Sequence, residues 1–246
     1  MAIKPNFTRK KKRKQHGATF WDSEYSKPEH LKLSTKPSAD LEKFTRWLDR
    51  RNRMDILGPE ASVLDVGCGN GRNLIYLSQT FGCKGIGYDV SAAAISQAVA
   101  ASKGLPLSYK ARSIAGALEI EPESQDLALD MMTSHFLNQA ERLTLRDEIH
   151  RSLKPGGYLF MKTFLKDDDL HTRRLLKDHA ATEEGTYIHP VMGVAEFVYS
   201  EEELLNFLSE KFIVHKIYRS HKHAFRGRAR KRRTITVYAE KDPYQK

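Results

Sequence analysis

The sequence has little cysteine, no long apolar run, and little charge imbalance outside two short stretches. Two cysteines among 246 residues, Cys68 and Cys83, are too few for a disulfide framework and point to a reducing compartment. No run of about eighteen apolar residues and no signal-peptide pattern is present, which argues against a membrane-spanning or secreted chain. The expected location is the cytoplasm, with the nucleus open if the host is eukaryotic. The formal net charge of +10 is local. Arg9, Lys10, Lys11, Lys12, Arg13 and Lys14 form one basic block, and Arg226, Arg228, Arg230, Lys231, Arg232 and Arg233 form another. Those twelve charges leave −2 for everything else. The length suffices for one sizeable domain with its own core.

The stretch that organises the chain runs from Ala61 to Asn73. Val63, Leu64, Asp65 and Val66 read as a short buried strand. Gly67, Gly69 and Gly71 then allow a turn with positive φ and close backbone approach. A helix follows from Asn73, its free N–H groups facing back into the turn. Strand, glycine turn and helix together make a seat for a nucleotide-type ligand, although a tight turn with no ligand is the plainer alternative. The G-x-G-x-x-G spacing of a dinucleotide site is missing; the pattern is G-x-G-x-G with Asp65 two residues ahead of it. A second strand, residues 84–89, ends on Asp89 about twenty residues after the turn, where a carboxylate can accept both hydroxyls of a ribose. Taken alone, Asp89 ahead of Ser91 would be an ordinary helix N-cap signal.

The glycine pattern, Asp89, and the run Leu153-Lys154-Pro155-Gly156-Gly157 closely resemble those of the class I S-adenosylmethionine-dependent methyltransferases, over roughly residues 20–240. The resemblance implies an α/β fold: a three-layer, Rossmann-like, seven-stranded sheet with an antiparallel last strand and helices on both faces. It divides the chain into a basic disordered arm, residues 1–18, and a methyltransferase domain, residues 19–246, with S-adenosyl-L-methionine as cofactor. On the family's pattern, Asp65, Gly67, Gly69, Asn70, Asn73, Asp89, Val90 and Thr133 fall in the cofactor seat. Ser113 and Ile114 stand where the family usually has an Asp for the adenine amino group. Trp21 belongs to an aromatic segment, Phe20 to Tyr25, of the kind the family lays across the cofactor; Trp21 and Tyr25 share one helix face. An anchor that docks the arm on the domain is the alternative. The hydrophobic period predicts a helix over residues 38–54 carrying Leu41, Phe44 and Leu48. Further strands are expected at 105–112, 126–132, 157–164, 212–219 and 234–240, and helices at 140–153 and 201–209.

The methyl acceptor is less legible. No Pro-Pro-aromatic motif follows the fourth strand, which disfavours exocyclic base amines and glutamine amides. No cysteine lies on the fourth or fifth strand, which excludes a cysteine adduct with a pyrimidine. An Asp-Asn pair for a catechol-type metal is also missing, and no metal site is expected. Asp130 and Lys162 resemble the acid and lysine of ribose 2′-O-methyltransferases, but Asp130 falls one residue early, which turns it to the opposite face. Acceptor candidates are His135, Tyr187, His189, His221, His223 and Arg226. His135 is open as a general base or as a packing histidine, and no catalytic residue is assigned. Asp167, Asp168 and Asp169 read either as an acidic patch or as a solvated helix start. In the family's topology the second basic block rises on the cofactor edge of the sheet, so RNA or a ribonucleoprotein-associated protein is the first expected partner. A small-molecule acceptor and a non-catalytic RNA-binding scaffold are the alternatives. Nothing bears on the oligomeric state.

Overall fold

The computed structural model describes residues 17–31, 33–51, 56–221, 224–225, 228–229 and 231–244. The first basic block, His223 and Arg226 lie outside these residues. Among the described residues no helix is long and apolar enough to cross a membrane.

Two helices, α1 (Ala18–Ser26) and α2 (Ala39–Asp49), precede β1 (Ser62–Val66). There follow α3 (Arg72–Phe81), β2 (Lys84–Asp89), α4 (Ala92–Ala101), β3 (Leu107–Ala111) and β4 (Gln125–Met131). A 3₁₀ turn, Ser134–Phe136, leads to α5 (Gln139–Ser152), β5 (Leu153–Phe164) and α6 (Leu170–Asp178). The remaining elements are β6 (Thr186–Ile188), β7 (Ala195–Phe197), α7 (Glu201–Ser209), β8 (Phe212–Arg219), β9 (Ala224–Phe225), β10 (Arg228–Ala229) and β11 (Thr234–Lys241). The main sheet has seven strands in the order β3-β2-β1-β4-β5-β11-β8. β1 to β5 are mutually parallel, and β11 runs antiparallel to both β5 and β8.

Period-two alternation divides the core between the two faces. Val63, Leu127, Leu129, Phe160 and Tyr238 face Leu41, Phe44 and Leu48 of α2 and Leu74 and Leu77 of α3. Leu64, Val66, Ala128, Leu159, Met161 and Val237 face Leu145 and Ile149 of α5 and Leu204 and Leu208 of α7. The sheet is therefore covered on both sides, and its strand ends carry the exposed chemistry. α2 is shorter than the periodicity predicts: Ser38 caps its start and Arg50 its end. β3 also starts late, because Leu105 donates to Ser102 and accepts from Leu107 in a turn. The hairpin β6–β7 stands on the same strand-end edge as the glycine turn.

Candidate functional site

The glycine turn is set by β2. Gly67 and Cys68 donate to the Tyr88 carbonyl at 2.7 and 2.9 Å. Gly69 N–H donates to Asp89 Oδ2 at 2.9 Å, while Ser91 N–H donates to Oδ1 at 2.9 Å. Asp89 thus holds the turn and the start of α4 at once, and each of its oxygens keeps a lone pair for a ligand hydroxyl. Gly67 and Gly69 have φ of 77° and 55°. A Cβ on Gly67 would run into Thr133, and one on Gly69 into the Tyr25 hydroxyl. Glycine is required at both positions by conformation and by space.

Below the turn, Asp65 is fully enclosed, and neither of its oxygens has a hydrogen-bond partner among the described residues. Burial, and then the nearby Asp89, push its pKa up to about 8. A carboxyl left without a partner beneath a ligand seat has a strong electrostatic incentive to meet a cation or a donor there.

The segment between α1 and α2 is strapped over the turn. Asn70 and Arg72 donate to the carbonyls of Ser34 and Lys36 at 3.1 and 3.3 Å, and Asn73 Oδ1 accepts from Ser38 N–H at 3.1 Å. α1 is fastened to the opposite rim. Asp22 accepts from the Ser91 hydroxyl at 2.7 Å and from Ala93 N–H at 3.1 Å, and Gln97 donates to the Tyr25 carbonyl at 2.6 Å. Buried Glu24 pairs with His30 and accepts from the amides of His30 and Leu31. Trp21 meets Phe136 edge-on at 5.0 Å.

These elements roof a cavity of about 1450 Å³ that runs from the glycine turn to the β6–β7 hairpin. At its inner end His135 is 1% exposed, and neither ring nitrogen has a hydrogen-bond partner among the described residues. Burial lowers its pKa to about 3; Glu196 opposes that shift, while Arg232 and Arg142 add to it. Its ring packs on Phe136 and Phe164, at 4.1 and 4.9 Å between centroids. Glu196 accepts from the Tyr187 hydroxyl and from Arg232 Nη1. Burial would raise the Glu196 pKa, but the Arg232 charge holds it below the usual range. Met132, at the exit of β4, has φ of 62°, a conformation uncommon for a side chain of this kind and one that recurs at functional sites.

Trp21, Gly67, Gly69, Asn70, Asn73, Asp89, Val90, Ser113, Ile114 and Thr133 all line this one cavity, as do His135 and His189. Three of the expected site residues stand elsewhere. Asp65 is buried beneath the turn, on the same sheet face as Val63. Tyr187 is fully buried behind Glu196, to which it donates. His221 is exposed and off the cavity wall. Asp130 and Lys162 do not meet: Asp130 accepts from Ser134 N–H at 3.1 Å, and Lys162 donates to Asp40 at 2.6 Å. Asp169 caps α6, accepting from His171 and Thr172, and Asp167 accepts from Glu201 N–H. No group of three or more potential metal ligands forms among the described residues.

Arg232 and Glu196 were not foreseen as site residues. Arg232 looks from the sequence like one more charge in a solvated block, and it is turned inward. The only sequence signal for Glu196 is a lone carboxylate in the apolar run Val194 to Val198.

Residues 63–157 match a family model described as a methyltransferase domain. Among curated proteins, the chain is 29% identical over 143 residues to a glycine/sarcosine/dimethylglycine N-methyltransferase of Actinopolyspora halophila, covering 56% of this chain and 25% of that protein. It is 30% identical over 101 residues to an uncharacterized methyltransferase of Synechocystis, covering 41% of this chain and 46% of that one. The chain thus spans less than half the length of either. Among solved structures, an S-adenosylmethionine-dependent methyltransferase of Methanosarcina mazei superposes with a TM-score of 0.65 at 23% identity, over 76% of this chain and 95% of that one. At that identity the likeness establishes the fold.

Proposed function

We propose that this chain, which carries a class I Rossmann-like S-adenosylmethionine-dependent methyltransferase domain, methylates a small acceptor enclosed at the inner end of the cavity. The observation that carries the reading is the cavity itself. A cradle that fits the cofactor opens directly into a chamber walled by His135, Phe164, Glu196 and Arg232 and roofed by α1.

The cofactor fits the residues present. Asp89 offers two oxygens beside the Gly69 amide for ribose hydroxyls. Trp21 and Tyr25 cover the seat, Ile114 offers an apolar surface for the adenine, and unpartnered Asp65 lies beneath. S-Adenosyl-L-methionine brings a methyl group already activated on a sulfonium. The chain's own task is to hold the acceptor in line and keep water away, and alignment of that kind can supply about 7–11 kcal/mol. The rings of Trp21, Phe136 and Phe164 exclude water. His135, neutral at working pH, can accept a hydrogen bond from the acceptor or donate one to it. An acceptor that enters as a neutral amine or a thiolate needs no further base.

A second reading, RNA or a ribonucleoprotein-associated protein, draws support from Lys231, which is exposed at the cavity wall, and from the basic sequence that precedes it. Weighing against it, two charges of that stretch are spent internally. Arg232 pairs with Glu196, and Arg233 donates to the carbonyls of Ser220 and Asp167.

Labelled S-adenosylmethionine incubated with a cell extract split into small-molecule, RNA and protein fractions tests both readings. Label confined to small molecules, and unchanged when Arg226, Arg228, Arg230 and Lys231 are neutralised, is the expected result. Label in RNA or protein that vanishes in that variant would favour the second reading.

A further inference from the structure

One polar group at the inner end of the cavity has unfinished bonding. Arg232 Nη1 donates to Glu196 and to the Tyr187 hydroxyl, yet Nε and Nη2 are buried with no hydrogen-bond partner among the described residues. A guanidinium is a rigid fork, and its Nε–Nη2 edge matches two oxygens of a carboxylate or phosphate side by side. Buried donors left unpaired are costly, so native structures rarely keep them without a reason.

The fork is also fixed in place. Its central carbon lies 3.0 Å from the ring centroid of Phe164, which makes one wall of the cavity. The Glu196 pairing holds the opposite edge. Glu196 balances Arg232, Lys231 beside it adds a positive charge to a wall that also carries Glu141, and burial disfavours the charged forms of His135 and His189.

We infer that Arg232 grips a pair of anionic oxygens, carboxylate or phosphate, on the methyl acceptor. This rests on the methyl-transfer reading above and adds the chemical class of the acceptor. Position sets a span as well. Arg232 lies just ahead of Thr234, which pairs with Phe164 at the end of β5, and β5 stands two strands from β1 and its glycine turn. Two strand spacings come to about 10 Å. That separation sets the span an acceptor has to bridge between the fork and the cofactor end.

Calorimetry on the full chain tests this with named probes. S-Adenosylhomocysteine is titrated first; then malonate, inorganic phosphate and neutral malonamide are titrated into the saturated protein. The variant is Arg232→Lys, which keeps a positive charge for Glu196 and removes the fork. The expected result is that malonate or phosphate binds and malonamide does not, and that the variant weakens the anion at least about tenfold while its S-adenosylhomocysteine affinity is unchanged. Whichever anion binds identifies carboxylate or phosphate as the group recognised. Equal anion binding by variant and wild type, or none by either, overturns the inference and leaves the methyl-transfer reading standing. A parallel loss of S-adenosylhomocysteine affinity also overturns it, because the gripped anion would then be the cofactor's own carboxylate. A wild type that does not bind S-adenosylhomocysteine overturns the methyl-transfer reading and this inference with it. If Arg232→Lys fails to fold, the double variant Arg232→Gln/Glu196→Gln removes both buried charges and takes its place.

Discussion

Lys162 Nζ donates to Asp40 Oδ2 at 2.6 Å, joining the end of β5 to the first turn of α2 across 122 residues of chain. Asp130, the acid on the neighbouring strand, is turned away and bonded to the Ser134 amide. The lysine is therefore a structural tie. Lys162→Met is expected to cost about 1 kcal/mol of stability, since the pair is partly exposed and Asp40 keeps Lys43 at 2.9 Å. Methyl transfer should be retained. Urea denaturation and turnover measured side by side check this; a folded variant without activity would return Lys162 to the catalytic candidates.

Gly67 has two separate reasons to be glycine, and they can be told apart. Gly67→Ala brings a left-handed conformation, unfavourable by about 1–2 kcal/mol, and a collision with Thr133. Pairing it with Thr133→Gly relieves the collision alone. The double variant should recover part of the stability lost in Gly67→Ala while staying below Thr133→Gly alone. Additive effects in a double-mutant cycle would show that Thr133 is not the obstacle.

Asp65 makes the fold sensitive to alkali. Its folded pKa of about 8 lies far above the ordinary aspartate value of 3.8, so the folded state holds this proton more tightly than the unfolded chain does. Stability should then fall as pH rises between those two values, by up to about 1.4 kcal/mol per pH unit. Asp130, raised to about 6 by burial, contributes in the same sense only up to that pH. Buried His135 acts in the opposite sense up to the ordinary imidazole range, so the slope that belongs to Asp65 is the one between pH 7 and 8, and Asp65→Asn should flatten it. Melting curves at pH 7, 7.5 and 8 decide the point; parallel curves for the two proteins would refute it.

His135 should stay neutral across the working range, because burial has brought its pKa to about 3. Imidazole nitrogen spectra between pH 5 and 8 are expected to show no titration of this ring. Any acid limb of the rate profile in that range should persist in His135→Gln. A limb that disappears in the variant would make the ring a titrating base.

Much of the cofactor end is local in sequence, and so it was legible. A strand, three glycines and a helix start lie within about a dozen residues, and Asp89 follows at a distance set by one α-helix and one strand. The bounds of β2, Lys84–Asp89, came out as expected. The inner end of the cavity depends on chain segments far apart. Glu196, Tyr187 and Phe164 come from three strands and Arg232 from the loop ahead of β11, and none of them carries a spacing that announces the others. Charge counting misled most at Arg232, because a basic block reads as solvated until one of its members is seen facing a buried carboxylate. Tyr187 stood among the acceptor candidates, whereas its place is set by the hydroxyl that supports Glu196.

The insertion of β11 between β5 and β8 has a consequence for how the chain comes together. β8 is synthesised before β11, yet it reaches the sheet only through β11. Until residues 234–241 have emerged, β5 has an open edge and β8 has no place to dock. Closure must span the 70 residues that separate Phe164 from its partner Thr234, a distant pairing of the kind that slows folding. Arg232 and Arg233 arrive in the same movement, so the inner end of the cavity is completed only when the sheet is.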